Sequence, residues 1–151
     1  MAVQAFDRSV LKVGQVFIIG LNVVAFALGF VLDIKPAWLL VPVVCVVMLA
    51  GVVNPNLNLF RQFYLRVLKP AGIVKPNVAQ EDPTPHQFAQ AVGATFLAAA
   101  SLTFLLGAYG AGWVLSWIVI VLAFVNFAFD FCVGCQVYLQ LDRMHMLPRR
   151  G

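Results

Sequence analysis

Charged residues vanish from this sequence in three long stretches: Val13–Leu32, Pro36–Phe60 and Gln87–Phe129 contain none. A hydrocarbon layer about 30 Å thick takes roughly 20 apolar residues as a helix, so the first two runs supply one span each. The third is long enough for two passes, and Gly107-Ala108-Tyr109-Gly110-Ala111-Gly112 interrupts it in the middle. The pattern predicts transmembrane helices near 13–31, 37–53, 88–106 and 113–131, since helices satisfy their own backbone groups in lipid. Tight turns link the first two and the last two, giving two helical hairpins joined by a loop at 54–86. The expected fold class is all-α, an integral membrane four-helix bundle forming one domain over residues 1–151.

Composition agrees with this reading. The chain is 62% hydrophobic and 11% charged, with a mean hydropathy of +0.93, whereas soluble domains carry about a quarter charged residues. Ala25-Phe26-Ala27 resembles the cleavage site of a secretory leader, with Arg8 and Lys12 ahead of it. The apolar stretch continues past that site to Leu32, longer than a leader's core, and reads as a span.

Charge sets the orientation. With four spans, both termini and the middle loop share one side, which holds Arg8, Lys12, Arg61, Arg66, Lys69, Lys75, Arg143, Arg149 and Arg150. The other side holds Lys35 alone. By the positive-inside rule both termini and the loop are cytoplasmic. The bilayer is the first partner, and nothing in the sequence points to nucleic acid.

The loop has structure of its own. Phe60, Phe63, Tyr64, Val67 and Leu68 fall on one helical face, with Arg61, Gln62, Arg66 and Lys69 on the others. Asn56 or Asn58 is placed to cap this segment and Pro70 to end it. It reads either as a helix lying in the cytoplasmic interface or as a continuation of the second span. Glu81-Asp82-Pro83-Thr84-Pro85-His86 then forms an extended turn, with Thr84 as cap and Pro85 in the first turn of the third helix. His86 lies at the membrane surface, where a lone histidine reads first as a solvated cap residue.

Within the spans, Ala89 with Gly93 and Ala94 with Ala98 recur at the four-residue spacing that lets membrane helices approach closely. Asn22 and Asn126 are candidates for hydrogen bonds between helices, and Cys45 reads as a small buried hydrophobe. No Lys, Arg, Glu or His falls at mid-span, which argues against an ion-coupled transporter or pump. At an offset of 75 residues, Gly14 maps to Ala89, Gln15 to Gln90 and Trp38 to Trp113. Two parallel copies of one hairpin would account for this weak repeat.

Chemistry concentrates in Phe131-Cys132-Val133-Gly134-Cys135-Gln136. Two cysteines three apart on a helix share a face and can close a disulfide, share a metal or pass sulfur. Orientation puts them on the cytoplasmic side, where thiols are kept reduced and pairs are catalytic, metal-bound or simply packed. If the fourth helix runs on through residue 135, the pair closes a helix. The helix dipole and Asp130 then disfavour a thiolate, the reverse of a pair that opens a helix. Only a chain break at Gly134 with a new helix from Gln136 would change that. Asp130 is the candidate proton acceptor beside Cys132 and Cys135. A metal site is the alternative, with His86 and His145 completing a tetrahedral zinc set, or Met144-His145-Met146 adding soft ligands for Cu(I). No cofactor is expected otherwise.

Asn54-Pro55-Asn56, Glu81-Asp82-Pro83-Thr84-Pro85-His86-Gln87-Phe88-Ala89-Gln90 and Phe131-Cys132-Val133-Gly134-Cys135-Gln136-Val137-Tyr138 together resemble a bacterial family of small four-helix membrane proteins known as a domain of unknown function. The resemblance runs over nearly the whole chain. Genes of that family often neighbour thioredoxin-like and thiosulfate sulfurtransferase-like genes, especially in actinobacteria. The resemblance therefore implies a role near thiol-disulfide or sulfur metabolism, with a cytosolic thioredoxin-like or sulfurtransferase-like partner. The family brings no catalytic residues to carry over. Three readings stand: a membrane thiol protein, a non-enzymatic accessory subunit packing with other membrane subunits, and a small sulfur-compound transporter or channel.

Overall fold

The computed structural model describes residues 4–82 and 84–145. Pro83 and the tail with Met146, Arg149 and Arg150 lie outside the described residues. The architecture is all-α apart from one short ribbon. Strand β1 (Gln4–Asp7) leads into α1 (Arg8–Phe26), which ends in a wider π turn to Val31. A 3₁₀ turn (Lys35–Leu39) opens α2 (Leu40–Val53). The loop contains α3 (Leu59–Phe63), continued by a π turn to Leu68, and β2 (Val78–Glu81). Helices α4 (Thr84–Leu105), α5 (Tyr109–Phe129) and α6 (Val133–Arg143) complete the chain. Four helical segments are long and apolar enough to cross a membrane: Arg8–Val31, Lys35–Val53, Thr84–Leu105 and Tyr109–Phe129.

These four pack as a ring in which α1 touches α2 and α5, and α4 touches α2 and α5. Inside it Val41, Val44, Met48, Ala94, Leu97 and Ala100 are buried. One polar pair sits in this core: Ser116 Oγ donates to Asn22 Oδ1 at 3.0 Å, tying α5 to α1. Asn22 also donates to the Ile18 carbonyl at 2.7 Å. Asn22 thus makes the interhelical bond expected of it, whereas Asn126 lines a cavity instead. Cys45 is buried and donates to the Ala94 carbonyl at 3.3 Å. At the end of the ring away from β1, Phe104 packs between Trp38 and Trp113, with ring centres 5.8 and 4.8 Å away. Outward faces carry Val16, Val24, Val43, Val46, Val114 and Val121, all exposed.

The opposite end is knotted together by polar groups. β1 pairs antiparallel with β2, Gln4 opposite Glu81 and Asp7 opposite Val78. Asp7 caps α1 by accepting from the Ser9 amide at 3.0 Å, and it accepts equally from the Asn77 amide at 3.0 Å. Its other oxygen accepts from the Tyr64 hydroxyl at 2.8 Å. Burial pushes the Asp7 carboxyl up, but these donors outweigh it and hold the group below the usual carboxylate range. Tyr64 shifts the opposite way, pushed up by its burial and then by the Asp7 charge.

Two local expectations need correction. The loop helix is not a continuation of α2, and part of its apolar face turns in toward the bundle. The chain breaks at Asn54, and Asn58 caps a new helix by accepting from the Phe60 and Arg61 amides at 3.0 and 3.3 Å. Phe60 and Tyr64 are buried against the bundle, with Phe17 stacked on Phe60 at 5.3 Å, while Phe63 and Val67 stay exposed. The extended turn before α4 includes a strand, and Thr84 does not cap the helix. Thr84 is instead the first residue of α4, and Asp82 accepts from its amide and hydroxyl at 2.9 and 2.6 Å.

Candidate functional site

Helix α5 stops before the cysteines. Asp130 follows it in the left-handed region (φ 51°, ψ 25°), a conformation that aspartate tolerates better than most residues. Cys132 is extended (φ −86°, ψ 104°) and is the cap residue of α6, its sulfur accepting from the Cys135 amide at 3.2 Å. The expectation that the pair closes a helix is therefore overturned: it opens one. The break falls at Asp130 rather than Gly134, and the new helix starts before Gln136. Positive charge from the helix start now favours a thiolate at Cys132 rather than opposing it. The two cysteines form a disulfide with Cα atoms 5.1 Å apart, within the ordinary range.

Gly134 explains how α6 reaches its place. A Cβ there would lie 2.6 Å from Ala89 Cβ and 2.8 Å from Ala89 Cα. Any side chain would hold α6 off the backbone of α4, so the first turn of α6 can lie against α4 only through glycine. Ala89 belongs to the small-residue stripe seen in the sequence, and part of that stripe serves α6.

Seating α6 there brings the pair to His86, one turn before Ala89 on α4. His86 lies in the first turn of α4, near the end of the segment able to cross a membrane. Its Nδ1 is 3.4 Å from Cys135 Sγ, and its Nε2 is 3.7 Å from Glu81 Oε2. Glu81 is itself paired with Arg8. An unprotonated Nδ1 at this distance can accept a proton from Cys135 when the pair is reduced. His86 is thus a half-buried neighbour of the thiols and not the solvated cap residue expected.

The other candidates separate from this group. The ligand atoms of His86, Cys132 and Cys135 lie within 4.8 Å of one another. His145 is in an exposed turn beyond α6, with φ 54°. The 11 residues of α6 place it about 15 Å away by helical rise, so it does not join the set. Met146 lies outside the described residues. Asp130 is exposed and pairs with Lys12, Nζ 3.0 Å from Oδ1.

Two cavities meet at the pair. The outer one, about 310 Å³, is lined by Arg8, Lys12, Glu81, Asp82, Asp130 and Cys135 among others. The inner one, about 150 Å³, runs between the long helices past Gly14, Ile18, Met48, Gly93 and Val119. Cys132, His86, Gln15, Asn126 and Leu11 line both. The inner cavity joins residues that the sequence relates only through its weak repeat: Gln15 and Gln90 both line it, as do Gly14 and Ala89. That repeat was the one signal able to reveal it.

No curated protein and no solved structure is significantly similar to this chain. The profile of one family, described as a domain of unknown function, matches residues 6–143. Because that profile covers most of its length, the chain belongs to that family, DUF4395.

Proposed function

We propose that this chain is a multi-pass protein of the bacterial cytoplasmic membrane whose Cys132–Cys135 pair exchanges disulfides with a cytosolic thioredoxin-like or sulfurtransferase-like partner. One observation carries the reading: the pair opens a helix, touches a histidine, and sits where two cavities meet, with Cys132 lining both. A merely structural disulfide needs none of these. Membrane insertion is supported by the four apolar helices. Pairing of β1 with β2 puts the amino-terminal strand and the basic loop at one end of the bundle, and positive-inside charge makes that end cytoplasmic.

Cys132 is half-buried and Cys135 buried, so the partner's thiolate attacks Cys132. The Cys132–Cys135 bond breaks, a partner–Cys132 mixed disulfide forms, and Cys135 leaves as a thiolate that takes up a proton. A second partner thiol then attacks its own sulfur in the mixed disulfide and frees Cys132. The partner ends oxidised and this chain reduced, by two electrons. In reverse, His86 accepts the Cys135 proton as the internal disulfide closes.

A Cys135→Ser variant should trap the mixed disulfide on Cys132 with a cytosolic dithiol protein, visible by mass spectrometry after non-reducing separation. Full complementation of a deletion strain by the Cys132→Ser/Cys135→Ser double variant would sink the proposal and favour the accessory-subunit reading. Thiol-independent uptake of a small sulfur compound would favour the transporter.

The clustered ligand atoms of His86, Cys132 and Cys135 support a second reading, a zinc or Cu(I) site in the reduced protein. Metal analysis after purification under reducing conditions decides it: stoichiometric metal lost with His86→Ala would replace exchange by binding.

A further inference from the structure

An exchange site that only takes electrons from a cytosolic partner fills after one turnover, so the dithiol needs an outlet. We infer that the inner cavity seats the ring of a lipid-soluble quinone, which takes two electrons from the reduced Cys132–Cys135 pair. This rests on the exchange reading above and names its second substrate.

Size is the first argument. The cavity measures about 150 Å³, and an apolar protein cavity of about that volume holds a benzene ring. Charge is the second. Among its lining residues only Arg61, His86 and the reduced Cys132 carry or can acquire charge, and Arg61 already donates to Asn56 Oδ1 at 2.8 Å. An anionic sulfur compound would find too little compensation there, whereas a neutral ring needs none. Polarity is the third. Amides of Gln15, Gln90 and Asn126 line the space and can donate to a ring carbonyl, even though Gln90 also donates to the Met48 carbonyl at 2.9 Å. Few polar groups on apolar walls are what orient a small neutral ligand. Position is the fourth: Cys132 lines the same cavity, so the sulfur and the ring share one space. From His86 to Gly93 the cavity follows α4 for about 10 Å by helical rise, between helices apolar enough to stand in lipid.

The chemistry balances. The Cys132 thiolate adds to the quinone ring, forming a carbon–sulfur bond. Cys135 then attacks Cys132 Sγ, His86 taking its proton. The sulfur–sulfur bond forms as the carbon–sulfur bond breaks, and the ring leaves as quinol. Two thiols are oxidised to one disulfide, the quinone gains two electrons, and two protons end on its oxygens.

The test uses the full chain in lipid nanodiscs, reduced, freed of reductant and mixed with a short-chain benzoquinone. Quinol absorbance and free thiols are followed together. One quinone reduced per dithiol is expected, with none for the Cys132→Ser/Cys135→Ser variant. Gly14→Leu places a side chain where a Cβ meets nothing within 4 Å, at the cavity wall. It should slow quinone reduction at least tenfold while a Gly14→Leu/Cys135→Ser variant still traps its partner. Trapping without any quinone reduction would overturn this inference and leave the exchange reading standing. Unchanged quinone kinetics in Gly14→Leu would overturn the cavity assignment. Loss of both trapping and quinone reduction in the parent chain would overturn both.

Discussion

Gly134→Ala is the sharpest probe of how α6 is seated. The added methyl would sit 2.6 Å from Ala89 Cβ and 2.8 Å from Ala89 Cα, where carbon atoms prefer about 3.5–4.0 Å. One obstacle is backbone, so no rotamer change relieves it, and the start of α6 must retreat by roughly 1 Å to restore normal contact. Overpacking of this kind costs about 1–3 kcal/mol. Replacing a helical glycine by alanine returns at most about 1 kcal/mol, leaving a net loss of about 0–3 kcal/mol. A retreat of that size also pulls Cys135 Sγ away from His86 Nδ1, now 3.4 Å apart. Gly134→Ala should therefore close its disulfide more slowly than the parent even where its unfolding midpoint moves little. Ala89→Gly removes the opposing methyl and lowers helix propensity on its own. Because the Ala89 Cα stays in place, thermal unfolding in detergent across the double-mutant cycle should give a favourable coupling below the full overpacking cost, about 0.5–1.5 kcal/mol for the pair. Additive single changes, or a Gly134→Ala chain that closes its disulfide at the parent rate, would refute the close seating.

Asp7→Asn should cost about 2 kcal/mol of stability at neutral pH, since a charged acceptor of three hydrogen bonds becomes neutral. Because the folded carboxyl is held below its ordinary value of 3.8, its contribution is present above that value and drains away as pH falls below it. Unfolding midpoints of parent and variant should converge in that acid window, and a constant gap would contradict the assignment. Ser116→Ala removes a donor from fully buried Asn22, and a loss of about 1–3 kcal/mol should follow. No change at all would mean that Asn22 finds another partner. His86→Ala should slow closure of the Cys132–Cys135 disulfide. An unchanged closure rate for His86→Ala in stopped flow would exclude His86 as the acceptor.

The spans were legible because an uncharged apolar run long enough to cross lipid is costly to keep in water. A cap at Asn56 or Asn58 was legible for a similar local reason, since asparagine before an apolar helical face has one strong use, and Asn58 is the one that caps. The ribbon was not, since Val78-Ala79-Gln80-Glu81 lacks alternation and its partner lies more than seventy residues away. The start of α6 was misread because neither glycine nor proline marks the break at Asp130. Its left-handed turn depends on tertiary seating, through Gly134 on Ala89 and Lys12 on Asp130. One error in the end of a helix thus reversed the inferred electrostatics of the thiols. The cysteines themselves were found from spacing alone, whereas the position of His86 required the packing of α6 on α4.

The repeat gives the inner cavity a physical origin. In the ring, α1 stands diagonally across from α4 and α2 from α5, the arrangement that a two-fold axis along the bundle would produce from two copies of one hairpin. Gln15 and Gln90 then line one space, and Trp38 and Trp113 flank the same ring of Phe104. The symmetry fails at one place. Ala89 on α4 is covered by Gly134 of α6, while its counterpart Gly14 on α1 has nothing within 4 Å of its Cβ position. No second copy of α6 packs on α1, because the helix following the first hairpin, α3, stacks Phe60 on Phe17 instead. The half-filled symmetry leaves a gap beside the disulfide, lined by small residues and amides. If that is its origin, filling the gap from Gly14 should raise the unfolding temperature while blocking the cavity. A Gly14→Leu chain that loses stability instead would mean that the gap is held open by strain and not by a missing partner.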